Sequence, residues 1–306
     1  MTIPPLRVLY IAGSGRSGST ILEKILGNLP GFVSVGEVRY FWEYMESGNR
    51  LCGCGRPLTE CDFWQRVLGV LGLTPAALAH LSAVAQSSDR TRYALLQAAG
   101  IPGVGAFSPS LLEGTHRLYR AVQEASGAGT IIDSSKVPSH LSLLLRVPEI
   151  DVRVLHLVRD PRAYIHAVTK RHKKVRLVTG ERELMRRGTA GAVVAWVIEN
   201  MLSQFWGRRA AAYTLLRYED FAADSEATLR RALDELRLPP DRPRLLTGTE
   251  LQLRPTHSVG GNPVRFDQAP LMIAEDTAWR TAMPRTTQRL LGWALWPWLS
   301  RYGYRI

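Results

Sequence analysis

The sequence predicts an α/β fold of three layers, a central parallel sheet of about five strands flanked by helices. Short apolar, β-prone runs near residues 7–12, 33–35, 130–133, 152–158 and 213–217 alternate with helical patterns. Two of these runs end in turns that open a helix, the βα arrangement that places ligands at the carboxyl edge of a sheet. With 306 residues and no repeat or low-complexity linker, one domain spanning 1–306 is expected, carrying a helical insertion over about 39–128.

The first βα unit is the most specific. Arg7 to Ala12 is mostly apolar and β-prone, while Thr20 to Leu29 follows a helical period with Ile21, Leu22, Ile25 and Leu26 inward. Gly13, Gly15 and Gly18 let the backbone turn tightly between them, and the unpaired N–H groups of a helix start favour an anion there. The loop predicts a phosphate cradle of P-loop-like type. Its spelling fits three chemistries unequally. Gly13, Gly15 and Gly18 satisfy the dinucleotide pattern G-x-G-x-x-G, with Glu37 near the ribose-binding offset. A Walker loop would need lysine where Ser19 stands. In the third reading Arg16 supplies the cation, Ser17, Ser19 and Thr20 supply hydroxyls, and the ligand is a 5′-phosphosulfate.

Gly31 to Arg39 reads as a second short strand whose end brings Glu37 near that loop. Beyond it lies the insertion, with helical segments around 75–86, 90–99 and 109–125; insertions of this kind often build a substrate pocket. All three cysteines, Cys52, Cys54 and Cys61, fall at its start. Three thiols without a neighbouring histidine are one ligand short of a zinc site, so a loop disulfide such as Cys54–Cys61, or free thiols, is expected and no metal is assigned.

Residues 130–136 form a short apolar strand ending in Asp133-Ser134-Ser135-Lys136, and residues 152–158 form another that ends in Arg159-Asp160-Pro161-Arg162. Asp160 suits an N-cap and Pro161 a first helical turn, so Arg159 stands at the sheet edge. Later come Leu215 to Phe221, a strand running into Tyr218-Glu219-Asp220, and the loop His257 to Phe266 with Gly261-Asn262-Pro263 and Arg265. Residues 290–304, with Trp293, Trp296 and Trp298, are expected to pack as a terminal helix and tail, since Pro297 and brevity argue against a membrane anchor.

The glycine loop and the strand-Arg-Asp-Pro-Arg-Ala-helix unit resemble those of sulfotransferases that use 3′-phosphoadenosine 5′-phosphosulfate (PAPS), and so do the Asp-Ser-Ser-Lys, Tyr-Glu-Asp and Gly-Asn-Pro-x-Arg-Phe segments. The likeness runs from about Val8 to Phe266, closest to the bacterial, tyrosylprotein and carbohydrate types. It implies a PAPS-binding set of Gly15, Arg16, Ser17, Gly18, Ser19, Thr20, Arg159, Tyr218, Gly261, Asn262 and Arg265, with Arg159 and Arg265 on the 3′-phosphate. Arg16 and Lys136 are then the cations beside the sulfuryl group. Tyrosylprotein sulfotransferases carry their catalytic glutamate after a similar Gly-Glu step, so Glu37 is expected as general base, with His257 and His166 behind it; a structural ion pair with an arginine such as Arg39 is the competing role for Glu37. The pattern departs at Ala167, where the family commonly has serine, and Thr169, Lys170 or Arg171 are the candidate substitutes.

The implied activity is transfer of a sulfuryl group to a hydroxyl of a small-molecule, carbohydrate or lipid acceptor, with adenosine 3′,5′-bisphosphate (PAP) as product and no metal required. A P-loop small-molecule kinase is the alternative enzyme. A net charge of +12 also permits a nucleic-acid-binding protein, although the densest basic run, Lys170 to Arg176, follows the Arg159 helix. The N-terminus lacks the pattern of a signal peptide and no apolar run is long enough for a span, so a bacterial cytoplasmic enzyme, fitting secondary metabolism, is expected.

Overall fold

The computed structural model describes residues 5–88, 90–101, 105–169, 174–183, 187–238, 253–267 and 273–305. Its central sheet contains the five expected strands, β1 (Leu6–Gly13), β2 (Phe32–Gly36), β3 (Thr130–Lys136), β4 (Ile150–Val158) and a last strand over Ala212–Arg217, here β7. All neighbours are parallel and the order is β2-β3-β1-β4-β7, so the chain turns from one side of β1 to the other as it proceeds. A separate hairpin, β5 (Lys174–Arg176) with β6 (Glu181–Glu183), lies between β4 and β7 in sequence and was not expected.

Alternation in β1 explains the three layers. Leu9 and Ile11 face one side, where they pack with Leu22, Ile25 and Leu26 of α1 (Ser19–Gly27). Val8, Tyr10 and Ala12 face the other, against the insertion helices. Those helices are α2 (Phe41–Ser47), α3 (Asp62–Leu71), α4 (Pro75–Ser88), α5 (Thr91–Ala98) and α6 (Pro109–Ser126), and they occupy the span between β2 and β3. In α6 the ends are written in the sequence: the Ser108 hydroxyl accepts from the N–H of Leu111 at 3.2 Å, Pro109 sits in the first turn, and Gly127 closes the helix at φ 65°.

After β3, α7 (Pro138–Leu144) leads to β4, and α8 (Pro161–Thr169) follows β4 where Asp160 and Pro161 predict a helix start. The long α9 (Thr189–Gly207) packs across the sheet beside β1 and β4, and α10 (Tyr218–Ala223) and α11 (Ser225–Glu235) cover the α1 face. The chain ends in α12 (Ala278–Ala282), α13 (Arg285–Ala294) and α14 (Trp296–Arg301). Leu291, Leu295 and Leu299 bury this end against α8 and α9, as expected, but Leu290, Trp293 and Trp296 point outward. Among the described residues no single helix is long and apolar enough to cross a membrane.

Candidate active site

The parallel sheet gathers the sequence motifs at one edge. Ala12 is in register with Lys136, Gly13 with Leu157, and Val158 with Arg217, so the glycine loop, Lys136, Arg159 and Tyr218 all leave the sheet at the same level. Glu37 follows β2 at that edge.

Within the loop each glycine has its own reason. A Cβ at Gly13, which has φ 122°, would stand 2.2 Å from the Leu157 carbonyl oxygen, and one at Gly18, with φ 91°, would lie 2.7 Å from the Tyr218 ring. At Gly15 a Cβ would meet nothing within 4 Å; protein packing does not require glycine there, and the backbone is open to approach. Arg16 adopts φ 62°, a left-handed conformation that costs a non-glycine residue energy and is common at ligand-binding turns. Burial lowers its pKa, though a guanidinium stays charged. The Ser17 hydroxyl turns inward and donates to the Ser14 carbonyl at 2.7 Å, so this side chain braces the loop. Ser19 and Thr20 open α1 behind Gly18.

The loop has a support that sequence reasoning missed. Asn200 on α9 donates to the Ser14 hydroxyl at 2.8 Å, and the Gly13 N–H donates to Ser203 at 3.1 Å. Asn200 is also held by His156 at 3.0 Å, whose other ring nitrogen meets the Tyr213 hydroxyl at 2.9 Å.

Glu37 and Lys136 come together: Lys136 Nζ lies 2.7 Å from Glu37 Oε1 and donates to the Ser134 carbonyl at 2.5 Å. The fold thus gives Glu37 a lysine as ion partner, while Arg39 lies over the Tyr40 ring. Burial works against charge on Lys136, but the Glu37 and Glu23 carboxyls overcome it and hold its pKa above the ordinary lysine value. Lys136 also takes a left-handed φ of 64°. Glu23, one turn into α1, was absent from the expected site. It is fully buried, accepts a hydrogen bond from Ser134, and has its pKa pushed up to about 7 by desolvation, which Lys136 only partly offsets. Its inward position beside Leu22, Ile25 and Leu26 was the available signal.

Arg159 donates to the Arg16 carbonyl at 2.8 Å, pairs with Asp276 at 2.9 Å and lies over the Tyr218 ring, 4.7 Å from its centroid. Tyr218 in turn donates to the Ala274 carbonyl at 2.8 Å. Arg265 is 2 % exposed; it donates once to the Leu51 carbonyl at 2.9 Å, and its Nε and Nη1 are buried with no hydrogen-bond partner among the described residues. Gly261 lies between Arg265 and Thr20, and the Asn262 side chain accepts from the Val264 N–H at 3.3 Å, shaping the turn that carries Arg265. Of the candidates to replace a serine at Ala167, Thr169 donates to the Ile165 carbonyl at 2.8 Å, and Lys170 and Arg171 lie outside the described residues.

The cysteines take the second of the two expected states. All three are free thiols, and Cys54 and Cys61 stand 3.7 Å apart, far beyond the roughly 2.05 Å of a disulfide. The histidine missing from the local sequence arrives from 196 positions away: His257 Nδ1 is 3.3 Å from Cys61 Sγ and 3.9 Å from Cys52 Sγ. His257 is thereby placed in a thiol cluster. Hydrogen bonding from Cys52 lowers the Cys54 and Cys61 pKa values while Cys52's own rises, and hydrogen bonding to Cys61 raises that of His257. The other reserve base, His166, sits in the last turn of α8, after β4, with β3 and β1 between that strand and the β2 end that bears Glu37.

Comparison with known proteins adds to this geometry. The model of the sulfotransferase family matches residues 9–242. The sulfotransferase domain from the Synechococcus PCC 7002 olefin synthase is similar in structure with TM-score 0.54 at 21% identity, over 100% of this chain and 97% of that one. The sulfotransferase domain from the curacin biosynthetic pathway gives TM-score 0.52 at 17% identity over 100% of both chains. At such identities the likeness concerns the fold. No curated protein matches the chain in sequence.

Proposed function

The chain belongs to the sulfotransferase family, and from that premise we propose that it moves the sulfuryl group of PAPS to a hydroxyl-bearing acceptor. The observation that carries the donor assignment is Arg265, a buried cation whose two unmatched donors suit a multiply charged phosphate ester beside Gly261 and Thr20. Gly15, with its open approach, and the N–H groups at the start of α1 fit the 5′-phosphate in the same way.

PAPS brings a sulfur already joined to a phosphate leaving group. Arg16 and Lys136 place positive charge along the path where negative charge shifts in an in-line displacement. Glu37, kept near Lys136, takes the acceptor's proton. The acceptor oxygen–sulfur bond forms as the sulfur–oxygen bond to the 5′-phosphate breaks, and PAP leaves. Arg159 and Arg265 hold the 3′-phosphate, which separates this donor from ATP, with Tyr218 and Asn262 shaping the nucleotide's surroundings. Protein cations meet the charge, so the step needs no metal. The insertion helices α2–α6 supply the acceptor side, and a secondary metabolite, a carbohydrate and a lipid hydroxyl all fit this chemistry.

Calorimetric titration with PAP, set beside ADP with magnesium and NAD, tests the reading. Selective binding of PAP is expected; preference for ADP with magnesium would move the chain to the kinase chemistry that the loop's Ser19 disfavours, and preference for NAD to dinucleotide binding.

A further inference from the structure

Outside the proposed reaction, three thiols and one imidazole converge where the insertion meets the late glycine loop. The ligand atoms of Cys52, Cys54, Cys61 and His257 all lie within 4.8 Å of one another. Tetrahedral zinc with bonds of about 2.3 Å to sulfur and 2.0–2.1 Å to nitrogen requires sulfur–sulfur edges of about 3.8 Å and sulfur–nitrogen edges of about 3.5 Å. The observed separations are 3.7 Å for Cys54 to Cys61, 3.3 Å for Cys61 to His257 and 3.9 Å for Cys52 to His257. Phe63 stacks on the imidazole with ring centroids 4.8 Å apart, and Trp64 donates to the His257 backbone carbonyl at 2.9 Å, which fixes the chain at this residue.

We propose that Cys52, Cys54, Cys61 and His257 form a structural zinc site that fastens the start of the insertion to the Gly260–Arg265 loop. Four protein ligands leave no open position, so the metal holds structure rather than activating water. Binding exchanges thiol protons for the metal, with no redox change.

The fastening reaches the reaction site in two steps of chain. Cys52 and Gly36 both bridge to Val259, whose carbonyl accepts the Glu37 N–H at 2.6 Å. Gly53 donates to the Ser258 carbonyl at 3.0 Å, and Arg265 donates to the Leu51 carbonyl at 2.9 Å. A Cβ at Gly260 would stand 3.2 Å from Glu37 Oε2. Metal at the cluster therefore sets the positions of both Glu37 and Arg265; this consequence rests on the sulfotransferase reading, whereas metal occupancy does not.

The test is elemental analysis of protein made in zinc-supplemented cells and purified without chelators or immobilised metal. One zinc per chain is expected, with loss in Cys54→Ser and His257→Asn. Because a ligand variant can fail to fold, the wild type is also titrated with a mercurial reagent: zinc must leave in step with modification of the three thiols. Cobalt exchanged into the wild type should show the visible bands of tetrahedral thiolate coordination. Zinc below about 0.1 per chain, a Cys54–Cys61 disulfide by mass spectrometry, or zinc retained after all three thiols have reacted overturns the proposal. Nucleotide titration of the chelated protein is a separate readout, so loss of zinc without loss of PAP binding leaves the metal assignment standing and removes only its link to Arg265.

Discussion

Lys136 Nζ sits 2.7 Å from Glu37 Oε1, joining the ends of β2 and β3, two adjacent strands whose turns are 99 residues apart in sequence. A base held by a cation stays aimed, and in the proposed reaction the same cation meets the charge on the transferring group. Glu37→Gln keeps the shape and a hydrogen-bond acceptor but removes the base. Turnover should fall by about 10²–10⁴-fold while PAP affinity stays within about twofold, because the base acts on the acceptor. Initial rates with PAPS and a responsive acceptor, together with calorimetry, check this; near wild-type turnover removes Glu37 from the reaction.

Arg159 has a rival partner in Asp276, whose side chain is 49% exposed. If Arg159 grips the 3′-phosphate, Arg159→Ala should weaken PAP binding by about 2–4 kcal/mol, the scale of a lost charge-assisted contact. Asp276→Asn should act oppositely and tighten binding, since a competing carboxylate is gone. Weaker binding in Asp276→Asn would mean that this aspartate positions Arg159 for the ligand instead.

The strands were legible because each is an apolar run with a marked end, and Gly13 and Gly18 because φ and close contact demand glycine there. Gly13 faces the Leu157 carbonyl and Gly18 the Tyr218 ring, both consequences of a βα turn that the spacing already implies. Partners brought from far along the chain were not legible. His257 reaches Cys61 across 196 positions and Asn200 reaches Ser14 across 186, and no local period encodes either meeting. In α9 the inward residues include Asn200, Ser203 and Gln204, so its buried face does not read as apolar. Glu23 was hidden for a related reason: an acid on an inward face looks like an exception to a pattern until Ser134 and Lys136 are seen around it.

Burial lifts the Glu23 carboxyl to about 7 from an ordinary 4.5. The folded state therefore binds this proton more tightly than the unfolded chain, and the stability it contributes is complete below pH 4.5 and lost as pH rises through 7. Glu23→Gln keeps an acceptor for Ser134 without the charge. Relative to wild type, its melting temperature should rise at pH 8 and change little at pH 5. Equal losses at both pH values would show instead that ionised Glu23 is a required partner of Lys136.

His156 carries the opposite sign. The Asn200 amide nitrogen donates to the Trp196 carbonyl at 2.7 Å and to the Ser14 hydroxyl, so its oxygen must face His156, whose Nε2 then donates and whose Nδ1 accepts from Tyr213. The ring is held neutral, and burial lowers its pKa to about 4 from 6.5. Stability from this group is complete above pH 6.5 and lost as pH falls through 4, with about 2 kcal/mol gone by pH 5. Urea unfolding of wild type and His156→Gln at pH 7 and pH 5 checks it, the difference between the two proteins cancelling the other titrating groups. The wild type should lose more stability than the variant between the two pH values. Equal losses would mean that the ring carries its proton in the folded chain, with Nδ1 donating to Tyr213 while Nε2 still donates to Asn200.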